Sequence, residues 1–163
     1  MSWDAAIFGT LEIPPKQFKS FLARNAESSA VPNVEKYLSL FEVSEPVKKV
    51  LAALRRFKDD EELAFVELTT DAENGRVSVQ SFGSKDEFLP HSVMLASVWA
   101  AAGEGASGEL YFAGMLTAGF GYKLTVGAEG VSLETMERKA MTARPEYTAI
   151  LARVEARIEE LGL

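Results

Sequence analysis

The densest run of ionisable side chains in the sequence is acidic and consists of Asp59, Asp60, Glu61 and Glu62. It directly follows the basic stretch 55–58 at the end of a predicted helix, where cations complement the helix dipole and the acids after them are solvated. The same run also fits an acidic patch that speeds association with a basic protein. Four adjacent acids lack the contrast between a buried and a solvated carboxylate that glycoside hydrolysis needs. The run therefore predicts a partner-binding patch or a solvated loop.

A large aromatic residue, Phe82, occupies an unexpected position at the end of a predicted strand. That strand turns Val77 and Val79 toward the opposite face, so the alternation predicts that Phe82 projects outward or sits at a bulge. Exposed aromatic side chains are common among the residues that dominate protein interfaces. Phe82 therefore joins the acidic run as a candidate partner-binding residue.

A second type of site is a ligand pocket between a predicted apolar helix and the sheet. The polar side chains that could serve such a pocket are His91, Tyr111 and Tyr122. Histidine is the side chain best suited to proton transfer near neutral pH, although a single histidine near a helix start is more often structural. These three residues are the candidates for a small-ligand-binding domain or a cofactor-free enzyme.

Several chemistries are excluded by the residues that the sequence lacks. Cysteine is absent, which excludes disulfides, thiolate metal sites, iron–sulfur clusters and cysteine nucleophiles. A single histidine makes a two-histidine zinc motif impossible. We therefore expect no metal, no cofactor and no catalytic residue, and the balance favours a non-enzymatic protein over an enzyme.

Two short motifs resemble ligand-binding loops but stand in the wrong context. Residues 103–108 match the G-x-G-x-x-G pattern, yet a helix precedes them and a strand follows, the reverse of a dinucleotide site. Gly103 is better explained as a helix C-cap. Residues 71–75 resemble the start of a calcium loop, but the twelfth position, which requires glutamate, is Phe82. We interpret both as ordinary connections.

A weaker basic cluster lies between the last predicted strand and the last predicted helix. It contains Arg138, Lys139 and Arg144, and Thr142 lies among them. Guanidinium and hydroxyl groups are good ligands for a phosphate or a carboxylate. Three scattered cations are common on protein surfaces, so the cluster alone predicts no particular ligand.

The overall charge makes a polyanion a poor main partner. The chain has 17 Lys and Arg against 24 Asp and Glu, a net charge of −7. Nucleic-acid recognition starts from a positive footprint, so nucleic acid is disfavoured and a basic protein is favoured. The first residues show no signal peptide, and the longest apolar run, 93–103, is too short to span a bilayer. These patterns predict a cytoplasmic protein without a membrane span.

Hydrophobic periodicity and turn residues predict six strands and four main helices. Trp3, Ala5, Ile7, Leu11 and Ile13 place one face of the first strand in the core. The Asn74-Gly75 pair predicts a hairpin, since both residues tolerate a positive φ. The predicted strands are 3–13, 63–70, 76–82, 109–116, 120–126 and 131–136. The predicted helices are 15–26, 45–58, 88–102 and 145–161, with a short helical turn around 34–41.

The resulting order is β-α-α-β-β-α-β-β-β-α. Hairpins outnumber possible parallel crossovers, which favours an α+β fold with a mainly antiparallel sheet of about six strands and helices packed on it. No linker or repeat divides the chain, so residues 1–163 are predicted to form a single domain.

The part from residue 45 onward is similar in element order to roadblock and profilin-like domains, although an extra N-terminal strand and helix precede it. That resemblance implies a homo-oligomeric scaffold, here a homodimer formed through a helix face or an edge strand. The main hypothesis is an acidic protein-binding module that neutralises or regulates a basic protein, for which toxin-neutralising immunity proteins are a physical analogy. The small-ligand domain is the third hypothesis.

Overall fold

The computed structural model describes residues 4–33, 42–57, 63–83, 88–103, 105–114 and 121–163. The strands are β1 (Ala5–Glu12), β2 (Asn25–Glu27), β3 (Ser44–Pro46), β4 (Phe65–Asp71), β5 (Arg76–Gly83), β6 (Ser107–Gly114), β7 (Gly121–Gly127) and β8 (Gly130–Thr135). The α-helices of these ranges are α1 (Phe18–Ala23), α2 (Val47–Arg55), α3 (Phe88–Ala101), α4 (Arg138–Thr142) and α5 (Pro145–Leu161). The α+β class and the predicted order of elements are confirmed.

The main sheet has six strands in the order β4-β5-β1-β6-β7-β8, and every neighbouring pair is antiparallel. Strand β1 therefore lies at the centre, between the two hairpins that follow it in the chain. In the resemblance to roadblock and profilin-like domains this strand is an addition. Here β5 and β6 meet only through β1, so the added strand is central to the sheet.

The first predicted helix is shorter than its sequence pattern indicated. A 3₁₀ turn at Pro15–Gln17 precedes α1, and the chain becomes extended at Arg24. The next residues pair with β3 to form a two-stranded ribbon, and the carbonyl of Arg24 accepts a hydrogen bond from the Val47 N–H at 2.7 Å. The ribbon also explains why α2 begins at Val47 rather than two residues earlier. The predicted helical turn at 34–41 lies outside the described residues.

The turn between β4 and β5 is the predicted hairpin. Gly75 has a positive φ of +66°, and Asn74 does not. Instead, the Asp71 carboxylate accepts hydrogen bonds from the Asn74 backbone N–H and from its side-chain amide, at 3.1 and 2.7 Å. A Cβ at Gly75 would lie 1.8 Å from the Ile13 carbonyl oxygen, so glycine is required there for space as well as for φ.

The first face of the sheet is covered by α1, α2 and α3 and forms the larger core. Ile7, Leu110 and Leu124 point into it from the central strands, and Trp99 on α3 is fully buried against them. The apolar helix α3 is buried on more than one side, as its composition predicts. Within the described ranges no helix is long and apolar enough to cross a membrane.

Among the described residues, α4 and α5 cover only part of the second face. Its smaller core lies over β1, β5 and β6 and contains Ala6, Phe8, Phe82, Tyr111, Ala113, Met141, Tyr147, Ile150 and Val154. The sequence pattern placed only one face of β1 in the core, but α5 buries Ala6 and Phe8 on the other face as well. Arg153 ties α5 to β4 by pairing with Glu67 and lying 3.8 Å from the centre of the Phe65 ring.

Candidate functional site

The uncovered part of the second face forms a cleft of about 660 Å³ beside α5. Its floor is built by β5, β1, β6 and β7, and the α4–α5 junction forms one wall. Strand alternation brings polar side chains to this face at every second position. Helix α5 covers the face only where these strands carry apolar residues, so the polar remainder stays open.

The antiparallel register arranges the floor as three adjoining rows. Thr10 of β1 lies between Ser78 of β5 and Glu109 of β6, and Thr125 of β7 continues the row. A second row, two residues earlier in β1, joins Gln80, Phe8 and Tyr111. A third row, two residues later in β1, joins Arg76, Glu12 and Ser107. Thr10 and Ser78 share a hydrogen bond of 3.2 Å between their hydroxyl oxygens.

An aromatic stack closes the covered end of the cleft. The rings of Phe8 and Tyr111 are stacked, with centroids 5.2 Å apart and planes 14° from parallel. The guanidinium carbon of Arg144 lies 4.0 Å from the centre of the Tyr111 ring, a cation–π contact. Arg144 is the residue that precedes α5, and its Nε lies 3.6 Å from a carboxylate oxygen of Glu146. The stack holds Tyr111 in one orientation.

Glu109 is the most constrained carboxylate of the floor. The Tyr111 hydroxyl donates a hydrogen bond to its Oε2, and the Lys123 Nζ lies 3.0 Å from its Oε1. The hydrogen bond from Tyr111, supported by Lys123, lowers the pKa of Glu109. Burial, together with the bond to Glu109, raises the pKa of Tyr111 to about 12. Near neutral pH the pair therefore consists of an ionised carboxylate and a protonated phenol.

The three residues of the predicted ligand pocket do not meet. Tyr111 faces the cleft, whereas Tyr122 lies on the neighbouring strand with the opposite parity and packs on the first face. His91 belongs to α3, also on the first face. The space expected between α3 and the sheet is filled by core side chains, so the predicted grouping is wrong and only Tyr111 belongs to the cleft.

His91 is buried in an apolar setting. It is 1% exposed, and its ring lies 5.0 Å from the Phe57 ring beyond the end of α2. Neither ring nitrogen has a hydrogen-bond partner among the described residues. Burial lowers the pKa of His91 to about 4, so the side chain is neutral at physiological pH. A buried neutral histidine remote from the cleft fits a structural role.

The prediction of an exposed Phe82 is wrong. The side chain is 1% exposed and packs in the second core, where Phe8 and α5 surround it. Phe82 does point to the face opposite Val77 and Val79, as predicted. At this end of β5, however, α5 covers that face, so the side chain is buried in the second core. The acidic residues Asp59, Asp60, Glu61 and Glu62 lie outside the described residues.

The basic cluster is dispersed in the structure. Arg144 lines the cleft, whereas Arg138 and Lys139 are exposed on α4. The Thr142 hydroxyl donates to the Lys139 carbonyl at 3.3 Å and is directed to its own helix.

No group of three or more His, Asp or Glu side chains in the described part of the chain could hold a metal ion. In the 103–108 loop, which joins α3 to β6, the glycine with a positive φ is Gly105 rather than Gly103.

The polar floor was missed at the sequence level. Its residues are Thr10, Ser78, Gln80, Glu109 and Thr125, with Arg144 and Glu146 in the wall. A signal was present, since polar residues recur at every second position in β1, β5, β6 and β7. The pairing of β1 with both β5 and β6 joins these separate stripes into one surface, and local periodicity does not reveal such pairing.

No family model matches this chain, and no curated protein or solved structure does so either.

Proposed function

We propose that this protein is a non-enzymatic binding module for a basic protein, and that the cleft on the second face is its docking surface. The carrying observation is the uncovered part of the sheet, where three neighbouring strands present hydroxyl, amide and carboxylate groups in a concave surface. A buried polar surface needs hydrogen-bond partners, and a protein segment supplies many of them at once.

The charge of the whole chain supports a basic partner. In the cleft itself each carboxylate of the lining has a cation beside it: Arg76 lies 3.2 Å from Glu12, Lys123 3.0 Å from Glu109, and Arg144 3.6 Å from Glu146. The chain as a whole carries −7. Complementary charge steers a partner toward its site and raises the association rate.

The existing ion pairs at the rim do not block an incoming cation. Glu12 pairs with Arg76 at 3.2 Å, but both side chains are more than half exposed. Exposed pairs of this kind contribute about 0–1 kcal/mol each. A cation of the partner can therefore replace Arg76 at small cost.

The lining also distinguishes this proposal from the small-ligand hypothesis. Small-molecule pockets are mostly apolar and enclose the ligand with a few polar groups. Here polar and apolar atoms contribute about equally to the lining, and the most apolar part of the face is already occupied by α5. The homodimeric scaffold stays a prediction.

The proposal is tested with a variant that adds charge and bulk to the floor. Thr10→Arg places a cation in the central row, and Ala156→Arg adds the same charge on the exposed side of α5. Wild-type protein and both variants are immobilised and exposed to native lysate, and the retained proteins are quantified by mass spectrometry at increasing salt.

The expected result is a basic protein that wild type and Ala156→Arg retain, that Thr10→Arg loses, and that salt releases. Isothermal titration with the purified partner then gives the affinity. Equal retention by Thr10→Arg, or the absence of any salt-released protein, would overturn the proposal.

The acidic run 59–62 remains a second expected contributor to binding. Reversal of Asp59, Asp60, Glu61 and Glu62 to lysine is predicted to slow association with the same partner and to flatten its salt dependence. An unchanged association rate would remove the run from the binding surface and leave the cleft as the sole docking site.

A further inference from the structure

We infer that the cleft receives a primary ammonium group, the side chain of a lysine in the partner, at Glu109, and that Lys123 occupies this place in the free protein. The inference rests on the proposed function and specifies its chemistry. Glu109 lies in the central row of the floor, with Thr10 on one side and Thr125 on the other.

The preference for lysine follows from the two oxygens of Glu109. Oε2 accepts the hydrogen bond of the Tyr111 hydroxyl, and Lys123 contacts Oε1, so a cation that replaces Lys123 meets Oε1. A guanidinium binds a carboxylate best through two parallel hydrogen bonds, which need both oxygens. An ammonium is a compact charge that makes a good contact with a single carboxylate oxygen, as Lys123 does here.

The position of Tyr111 is fixed, as the preference for lysine over arginine requires. Its ring is held between Phe8 and the guanidinium of Arg144, and the side chain is 3% exposed. The phenol stays protonated at every physiological pH, since its pKa is raised to about 12. Its hydroxyl therefore keeps donating to Oε2 while a partner binds.

Lys123 shows that Glu109 accepts an ammonium group, and a second carboxylate lies within its reach. Its Nζ lies 3.0 Å from Glu109 and 4.0 Å from a carboxylate oxygen of Glu134 on β8. When the partner's lysine arrives, Lys123 moves fully to Glu134. One ammonium replaces another at Glu109, so the carboxylate is never left without a cation.

The test uses two defined probes, the blocked pentapeptides Gly-Gly-Lys-Gly-Gly and Gly-Gly-Arg-Gly-Gly, titrated into ¹⁵N-labelled protein at millimolar concentration. Wild type is expected to bind the lysine peptide more tightly, with shifts centred on Thr10, Glu109 and Thr125. Glu109→Gln is expected to weaken lysine binding about tenfold, the effect of losing roughly 1.4 kcal/mol of charge attraction. Glu155→Gln, an exposed carboxylate of α5 outside the cleft, is the matched control.

Two further variants separate this arrangement from simple charge attraction. Lys123→Met removes the competing ammonium and is expected to raise lysine affinity up to about fivefold. Tyr111→Phe removes the hydrogen bond to Oε2, and the affinity for the arginine peptide is then expected to equal the affinity for the lysine peptide. Thermal melts confirm that each variant is folded.

Equal binding of the two peptides by wild type, weaker lysine binding by Lys123→Met, or no lysine-dependent shift near Glu109 would overturn the inference. If any of these occurs while Thr10→Arg still abolishes capture of a basic protein, the proposed function stands without the lysine preference. If cleft-dependent capture also fails, both are wrong.

Discussion

The two faces of the central sheet use the same strands for different purposes. On the first face, helices α1–α3 cover the sheet with apolar side chains. On the second face, α5 covers the apolar end, and polar side chains of the strands line the cleft beside it. The larger apolar core thus lies on one face, and the open polar surface lies on the other. Substitutions on the two faces should separate effects on stability from effects on binding.

The largest expected effect comes from the first face. Trp99→Ala removes a fully buried indole and leaves a cavity under α3. We expect the free energy of unfolding to fall by about 3–5 kcal/mol, measured by urea denaturation. A loss below about 1 kcal/mol would mean that α3 is not closely packed on the sheet.

The second effect is a dependence of stability on pH through His91. Its pKa is lowered by burial to about 4, against 6.5 in an unfolded chain. As the pH falls below 6.5, the unfolded chain takes up the proton first, so stability decreases. The full difference corresponds to about 3 kcal/mol lost by pH 4.

The measurement compares unfolding of wild type and His91→Leu between pH 8 and pH 4. The carboxylates titrate in both proteins, so the difference between the two curves isolates the histidine. Parallel curves would show that His91 is as accessible to protons in the folded state as in the unfolded one.

An intermediate effect tests whether the covered end of the second face is a true core. Ile150 on α5 is 1% exposed against Phe8 and Phe82. Ile150→Val removes one methylene group and is expected to destabilise the fold by about 0.5–1.5 kcal/mol. The control is Ala149→Ser at the adjacent exposed position. Serine is chosen because glycine would weaken the helix itself. Equal melting of the two variants would indicate that α5 packs loosely.

The smallest expected effect lies in the open cleft. Gln80→Ala removes a half-buried amide from the floor and should change the free energy of unfolding by no more than about 0.5 kcal/mol. The same variant is expected to weaken binding of the captured partner. A large loss of stability would show that Gln80 stabilises the fold, and would contradict the expectation that the cleft contributes little to stability.

Much of the fold was predictable because its signals are local. The last helix matches its predicted bounds, since Pro145 and the apolar stripe from Tyr147 onward mark it clearly. The six main strands lie within a few residues of their predicted positions. The β2–β3 ribbon was not predicted, because its strands are very short and pair across a long connection.

The candidate site was far less predictable. Strand parity gives the direction of the Phe82 side chain but not what lies in that direction. The chemistry of His91, Tyr111 and Tyr122 suggests one site, but α3 and the opposite parities of the two tyrosines separate them. The sequence shows Arg144 as one of several cations, and its position over Tyr111 depends on how α5 docks. In all three cases the outcome depends on contacts between distant segments, which local patterns do not contain.

The central position of β1 also bears on how the chain folds. Residues 5–12 pair on one side with residues 76–83 and on the other with residues 107–114. Such distant pairings must overcome the entropy of closing long loops, and folds rich in them form over milliseconds to seconds. During synthesis β1 has no neighbour until residues 76–83 have left the ribosome, and its second edge stays unpaired until residues 107–114 follow. Ala5–Phe8 is apolar and fully buried in the folded protein, so we expect the nascent chain to be prone to aggregation during that interval.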